Sequence, residues 1–141
     1  MNKKIFYINI IFLLLLMGLG CKQESKNNSF KTQNDTAAPK MEFEKVYHEF
    51  GALKEGEKVS YTFTFKNTGD SELIIKDAGA ACGCTVPKYD KHPVKPGEKG
   101  SVEVVFDSRG WSGTQIKSVF LKTNTPYGEK TLTIKANIVT N

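Results

Sequence analysis

The sequence is poor in three residue types: 141 residues hold three cysteines, one tryptophan and one arginine. Three cysteines are too few for a small scaffold stapled by disulfides. A single arginine, Arg109, beside nineteen lysines offers no cluster of guanidinium forks for phosphates or base edges, so nucleic acid is not an expected partner. With 12 glycines and 5 prolines the chain is no collagen, and with 39% hydrophobic residues it is no disordered acidic tail. No apolar run reaches the ~20 residues of a spanning helix, which excludes a multi-pass membrane protein. The Gly-x-Ser-x-Gly elbow, the His-Glu-x-x-His zinc helix and the Gly-Lys-Ser/Thr phosphate loop are all missing. No helical period occurs after residue 40.

What is present begins with an address. Lys3 and Lys4 precede an apolar run from Ile5 to Leu19, short for a spanning helix and suited to a signal peptide. The run ends at Gly18-Leu19-Gly20-Cys21, which resembles a bacterial lipobox. That resemblance implies removal of residues 1–20 and acylation of Cys21, and two or more chains anchor stably at ~0.8 kcal/mol per buried methylene. An ordinary secretory signal and an uncleaved anchor are the alternatives. Removing residues 1–20 takes Lys3 and Lys4 away, leaving 18 basic against 15 acidic residues, a net charge of +3.

Residues 21–40 read as a lipidated cysteine and a flexible linker. Phe30 is the only large apolar side chain in it, so little surface is available to offset ordering. A coil of this length sets the domain about 25 Å from a bilayer. Lys22-Gln23-Glu24 is similar to the surface-export signal of Bacteroidetes lipoproteins. Asp35-Thr36-Ala37 matches the short O-glycosylation motif of that phylum, making Thr36 a candidate modification site. The other reading of Thr36 is a plain polar linker.

From Met41 the pattern changes to period two. Val59, Tyr61, Phe63 and Phe65 alternate with polar residues, as do Val102, Val104 and Phe106, then Leu132, Ile134, Ala136 and Ile138. Such alternation marks strands with one buried face. Turn clusters at 54–57, 67–70, 95–98 and 125–128 separate them. Strands are expected at 42–50, 58–67, 72–78, 83–87, 101–107, 115–124 and 130–139. About seven short strands over 41–141 predict an all-β, immunoglobulin-like β-sandwich. The Cys–Trp–Cys spacing of true immunoglobulin domains is absent.

A family resemblance rests on the order of several elements. They are Phe50-Gly51, Glu55-Gly56-Glu57, Phe63-Thr64-Phe65-Lys66-Asn67-Thr68-Gly69, Leu73-Ile74-Ile75, Cys82-Gly83-Cys84-Thr85, Pro96-Gly97-Glu98 and Phe106-Asp107-Ser108-Arg109-Gly110. Together they resemble the bacterial domain-of-unknown-function family 1573, over about 43–138. That family is similar to Ig-like domains of the abnormal-spindle, hydin and major-sperm-protein type. The resemblance implies an exported Ig-like module and supplies no catalytic residue.

Cys82 and Cys84 pose the one chemical question. On a strand both would face one way. An extended spacing of ~6.6 Å lies at the limit of the ~4.4–6.8 Å that a disulfide spans, and Gly83 permits a bend that closes the gap. Three readings stay open: a reduced or bridged pair that only packs, a redox-active disulfide, and a soft-metal site drawing on His48 or His92. Asp107, Arg109 and Trp111 form either a polar binding loop or a surface ion pair beside a bend. No metal or cofactor is assigned. The function expected is that of a non-enzymatic lipoprotein of the bacterial cell envelope, at the outer membrane in preference to the inner, presenting one Ig-like domain to a protein or glycan. The alternative is a thiol-redox or copper-binding protein using the cysteine pair.

Overall fold

The computed structural model describes residues 37–140. The signal segment 1–20, Cys21, Thr36 and most of the linker lie outside the described residues, so the expectations placed on them belong to the sequence alone. The described residues form an all-β sandwich of two four-stranded sheets. One sheet holds β1 (Met41–Phe43), β3 (Lys58–Asn67), β6 (Lys99–Asp107) and β5 (Thr85–Tyr89), in the order β1-β3-β6-β5. The other holds β2 (Tyr47–Lys54), β8 (Glu129–Val139), β7 (Gly113–Thr123) and β4 (Ile75–Ala80), in the order β2-β8-β7-β4.

The alternating residues meet between the sheets. Phe63, Phe65, Val102, Val104 and Phe106 project from one, and Val119, Leu121, Leu132, Ile134, Ala136 and Ile138 from the other, all buried. Each large side chain so buried contributes about 1.5–3 kcal/mol of transfer free energy. β3 pairs with β6 without a break from Lys58↔Asp107 to Lys66↔Lys99. Gly100 sits opposite Phe65, and a Cβ there would collide with the Phe65 ring. The small residue is what lets that ring lie across the strand.

Eight strands stand where about seven were expected, because the segment read as 42–50 is two strands. The Glu44 N–H donates to the Thr64 carbonyl at 3.0 Å, holding the chain to the first sheet. Two residues later the Val46 carbonyl accepts from Thr133 at 2.8 Å, and the chain has joined the second. β2 then runs parallel to β8, with a shift between Glu49 and Ala52. Gly51 occupies the bulge at φ 76°, a conformation in which a side chain is strained. The shift explains why inward positions change parity from His48 and Phe50 to Leu53. β4 also starts later than expected. Leu73, fully buried, makes an isolated bridge with Val94 before the strand begins at Ile75.

The pairing directions sort the connections to two ends. Ala37–Met41, the loops 68–74 and 90–98, and the turn 124–128 share the near end. The turns 55–57, 81–84 and 108–112 share the far end. A ten-residue strand such as β3 separates them, about 30 Å at ~3.3 Å per residue.

Candidate functional site

The far end gathers the cysteine pair, Trp111 and the Asp107–Arg109 loop. Residues 81–84 form the connection that carries the chain from β4 in one sheet to β5 in the other. They are a turn, not the strand that would place both cysteines on one face. The bend at Gly83 brings the two Cα atoms to 5.3 Å, and Cys82 and Cys84 are joined by a disulfide. Thr85 follows, buried, with its Oγ1 3.6 Å from Cys82 Sγ and 3.7 Å from Cys84 Sγ. A bonded sulfur carries no proton, so the hydroxyl is the donor in these long contacts.

The two sulfurs differ in surroundings. Cys84 packs against the hydrophobic core, and its carbonyl accepts from the Asp107 N–H at 2.9 Å. Cys82 lines an open concavity of about 350 Å³ together with Ala81, Ile116, Lys117, Ser118 and Phe120. Two walls are exposed apolar side chains, Ile116 at 63% and Phe120 at 48%. Lys117 holds its Nζ 3.3 Å from the centre of the Trp111 ring and 3.0 Å from Gln115 Oε1. Partial burial pushes the Lys117 ammonium below its usual pKa.

Hydrogen bonds tie the three far-end turns together. Buried Ser108 donates from Oγ to the Lys54 carbonyl at 3.0 Å and from its N–H to the Glu57 carbonyl at 3.0 Å. The Gly110 N–H donates to Glu55 Oε1 at 3.2 Å. Arg109 grips Asp107 through Nη2 at 2.6 Å, through Nε at 3.2 Å and through its backbone N–H at 3.1 Å. Those bonds hold the Asp107 carboxyl far below the usual carboxylate range, with Lys58 assisting. The pair is an ion pair that shapes the bend, and Arg109 remains largely exposed.

Neither histidine stands beside the cysteines. His92 is at the near end, exposed, with Nδ1 2.6 Å from Asp90 Oδ1. His48 lies on β2, stacked on Tyr61 at 3.7 Å and edge-on to Phe50. Among the described residues no three of His, Cys, Asp and Glu gather as a ligand set for a metal.

Sequence reasoning missed the polar hub at the near end. Asn67 is fully buried, and all its polar groups are used. Its Nδ2 donates to the carbonyls of Ser71 at 2.8 Å and Val94 at 2.9 Å. Its Oδ1 accepts from the N–H groups of Lys40 at 3.3 Å and Gly69 at 3.1 Å. The Asn67-Thr68-Gly69 run therefore clasps the incoming chain as well as turning the strand. The available signal was an asparagine in phase with buried Phe63 and Phe65.

A match to the family described as "Protein of unknown function (DUF1573)" covers residues 41–138, which includes both ends of the sandwich. The chain belongs to this family. Curated proteins returned no match. Among solved structures, the DUF1573 domain is similar to a protein of unknown function from Porphyromonas gingivalis W83, at 22% identity and a TM-score of 0.64. The match covers 72% of this chain and 49% of that one, so the chain spans about half the length of that protein. It is also similar to the ASH/PapD-like domain 7 of human CEP192, at 8% identity and a TM-score of 0.61, covering 74% of this chain and 89% of that one. The Vibrio cholerae VesB protease matches at 20% identity and a TM-score of 0.53, over 74% of this chain and 32% of the protease. At such identities the likeness is one of fold, and it places the DUF1573 domain among Ig-like and PapD-like sandwiches.

Proposed function

We propose that this DUF1573 protein is a lipid-anchored component of the bacterial cell envelope that works by contact, without catalysis of its own, through the far end of its sandwich. The observation that carries the reading is polarity. Asn67 and Gly69 fix the incoming chain at one end, and the turns 55–57, 81–84 and 108–112 stand together at the other. The chain enters the sandwich at the near end, so the far-end turns are the ones remote from the point where a linker from an anchored Cys21 would join. Loops held on a rigid sandwich are common contact surfaces, and Ser108 and Asp107 hold these in one arrangement. The partner is a protein or glycan of the envelope. Thr36 glycosylation would act on the linker.

Two measurements test this. Cys21→Ser moves the protein from the membrane to the soluble fraction of cells; retention in the membrane overturns the anchor. A photo-reactive amino acid at exposed Ser112 gives cross-linked products in living cells, while one at exposed Tyr127 gives fewer. Equal or reversed yields overturn the assignment of the contact to the far end.

A further inference from the structure

We propose that the Cys82–Cys84 disulfide is a thiol-exchange site, with Cys82 as the sulfur attacked, for a partner polypeptide that presents two cysteine thiols beside an apolar side chain. It rests on the export in the reading above, since an oxidising compartment is where such a bond forms. It adds the chemical class of the partner.

Three observations point the same way. The bridge spans one intervening residue, so its loop closure constrains the unfolded chain little and it is a poor staple. Sandwich stability comes from the core between the sheets, at whose margin Cys84 packs. The two sulfurs are also unequal. Cys82 opens on the concavity, while Cys84 backs onto the core. Finally, the concavity has the parts the exchange needs. Ile116 and Phe120 are apolar walls exposed to solvent beside Cys82. The Thr85 hydroxyl reaches both sulfurs and is placed to donate to whichever leaves.

The exchange balances. A thiolate of the partner attacks Cys82 Sγ along the concavity. The bond between Cys82 and Cys84 breaks, and Cys84 leaves as a thiolate and takes a proton. A mixed disulfide now joins the partner to Cys82. The partner's second thiol, deprotonated, attacks its own bonded sulfur and releases Cys82, which is protonated in turn. Two thiols of the partner are oxidised to a disulfide, and this chain's disulfide is reduced to two thiols. The event is stoichiometric, one partner per oxidised chain.

The test uses the full chain extracted in detergent. Cys84→Ser leaves Cys82 free and Cys82→Ser leaves Cys84 free. The double variant reports any reaction at Cys21 and is subtracted. With Ellman's reagent as the probe, Cys82 reacts at least about tenfold faster than Cys84 without denaturant, as access to a sulfur governs exchange. Equal rates, or the reverse order, overturn the assignment of Cys82. Because substitution can disturb the turn, the unaltered protein is tested in parallel. Reduced glutathione and a synthetic one-cysteine peptide flanked by leucines each form a mixed disulfide with it, measured by mass. If the bond yields only after denaturation, the proposal fails. Phe120→Ser slows the leucine peptide several-fold and leaves glutathione unchanged. Equal slowing, or none, removes the apolar partner from the proposal. None of these outcomes depends on acylation of Cys21, so failure here and failure of the anchor are read separately.

Discussion

Gly69 lies flat against the backbone of Ala38. A Cβ added to Gly69 would overlap the Ala38 carbonyl oxygen, the Lys40 nitrogen and the Pro39 carbonyl carbon. Backbone bonds lock the same contact: the Thr68 N–H donates to the Lys40 carbonyl at 2.9 Å, and Asp70 to Ala38 at 3.1 Å. The segment ahead of β1 is therefore held by the turn after β3, and the glycine is fixed by what lies against it.

Gly69→Ala is expected to destabilise the domain by about 1–3 kcal/mol, the usual cost of forcing a methyl group into filled space. The midpoint of urea unfolding measures it. Gly79→Ala is the control, because nothing lies within 4 Å of a Cβ at that position. Equal midpoints for the two variants would show that the incoming segment yields freely.

Asn67 supports the same junction through its side chain. Asn67→Ala leaves the Ser71 and Val94 carbonyls and the Lys40 and Gly69 N–H groups without this partner. Stranding such partly buried groups should cost at least about 2 kcal/mol in total. Proteolysis near residue 40 should also quicken, since the clasp loosens before the sandwich opens. A variant that unfolds like the parent and resists protease equally would contradict the role of hub.

Lys117 and Trp111 face each other across the start of β7. A cation 3.3 Å above an aromatic centre is worth ~0.5–2 kcal/mol depending on desolvation. A double-mutant cycle with Lys117→Met and Trp111→Leu should return a coupling of about 0.5–1 kcal/mol in urea unfolding. Additive effects would mean that the two side chains are neighbours only.

The strands that alternate cleanly are legible in the amino-acid sequence. β3, β6 and β8 read off Phe63, Val104 and Ile134 and their neighbours, because burial of one face imposes period two. The sandwich and its family follow from their number and order. The division of 42–50 into β1 and β2 is not legible, because it depends on which distant carbonyl pairs with Glu44 and which distant N–H pairs with Val46. No local pattern encodes such partners. The bulge at Gly51 hides further information by changing which residues face inward. At the far end, the spacing of Cys82 and Cys84 raises the right question. The different surroundings of the two sulfurs depend on β7, whose Ile116 and Phe120 come more than thirty residues later in the chain. Asn67 passes as a turn residue because its four side-chain partners come from three separate segments.

His48 gives the fold a dependence on acid. Its ring is stacked on Tyr61 and edge-on to Phe50, between the sheets at the β2–β3 side. Burial, with Lys45 nearby, holds its pKa below the ordinary 6.5. The unfolded chain therefore binds a proton at a higher pH than the folded one, so stability rises with pH through this window. The His48 contribution is complete above about pH 6.5 and diminishes as pH falls through the folded value. Asp107 acts in a separate range. Its carboxyl is depressed from 3.8, so its effect is present above that value and lost only in stronger acid. Between pH 7 and 5 the His48 effect should thus stand alone of the two. His48→Phe keeps an aromatic ring against Tyr61 and removes the proton site. The parent should lose stability from pH 7 to pH 5 in urea unfolding, and His48→Phe should lose less. Parallel curves for the two proteins would place the titrating group elsewhere.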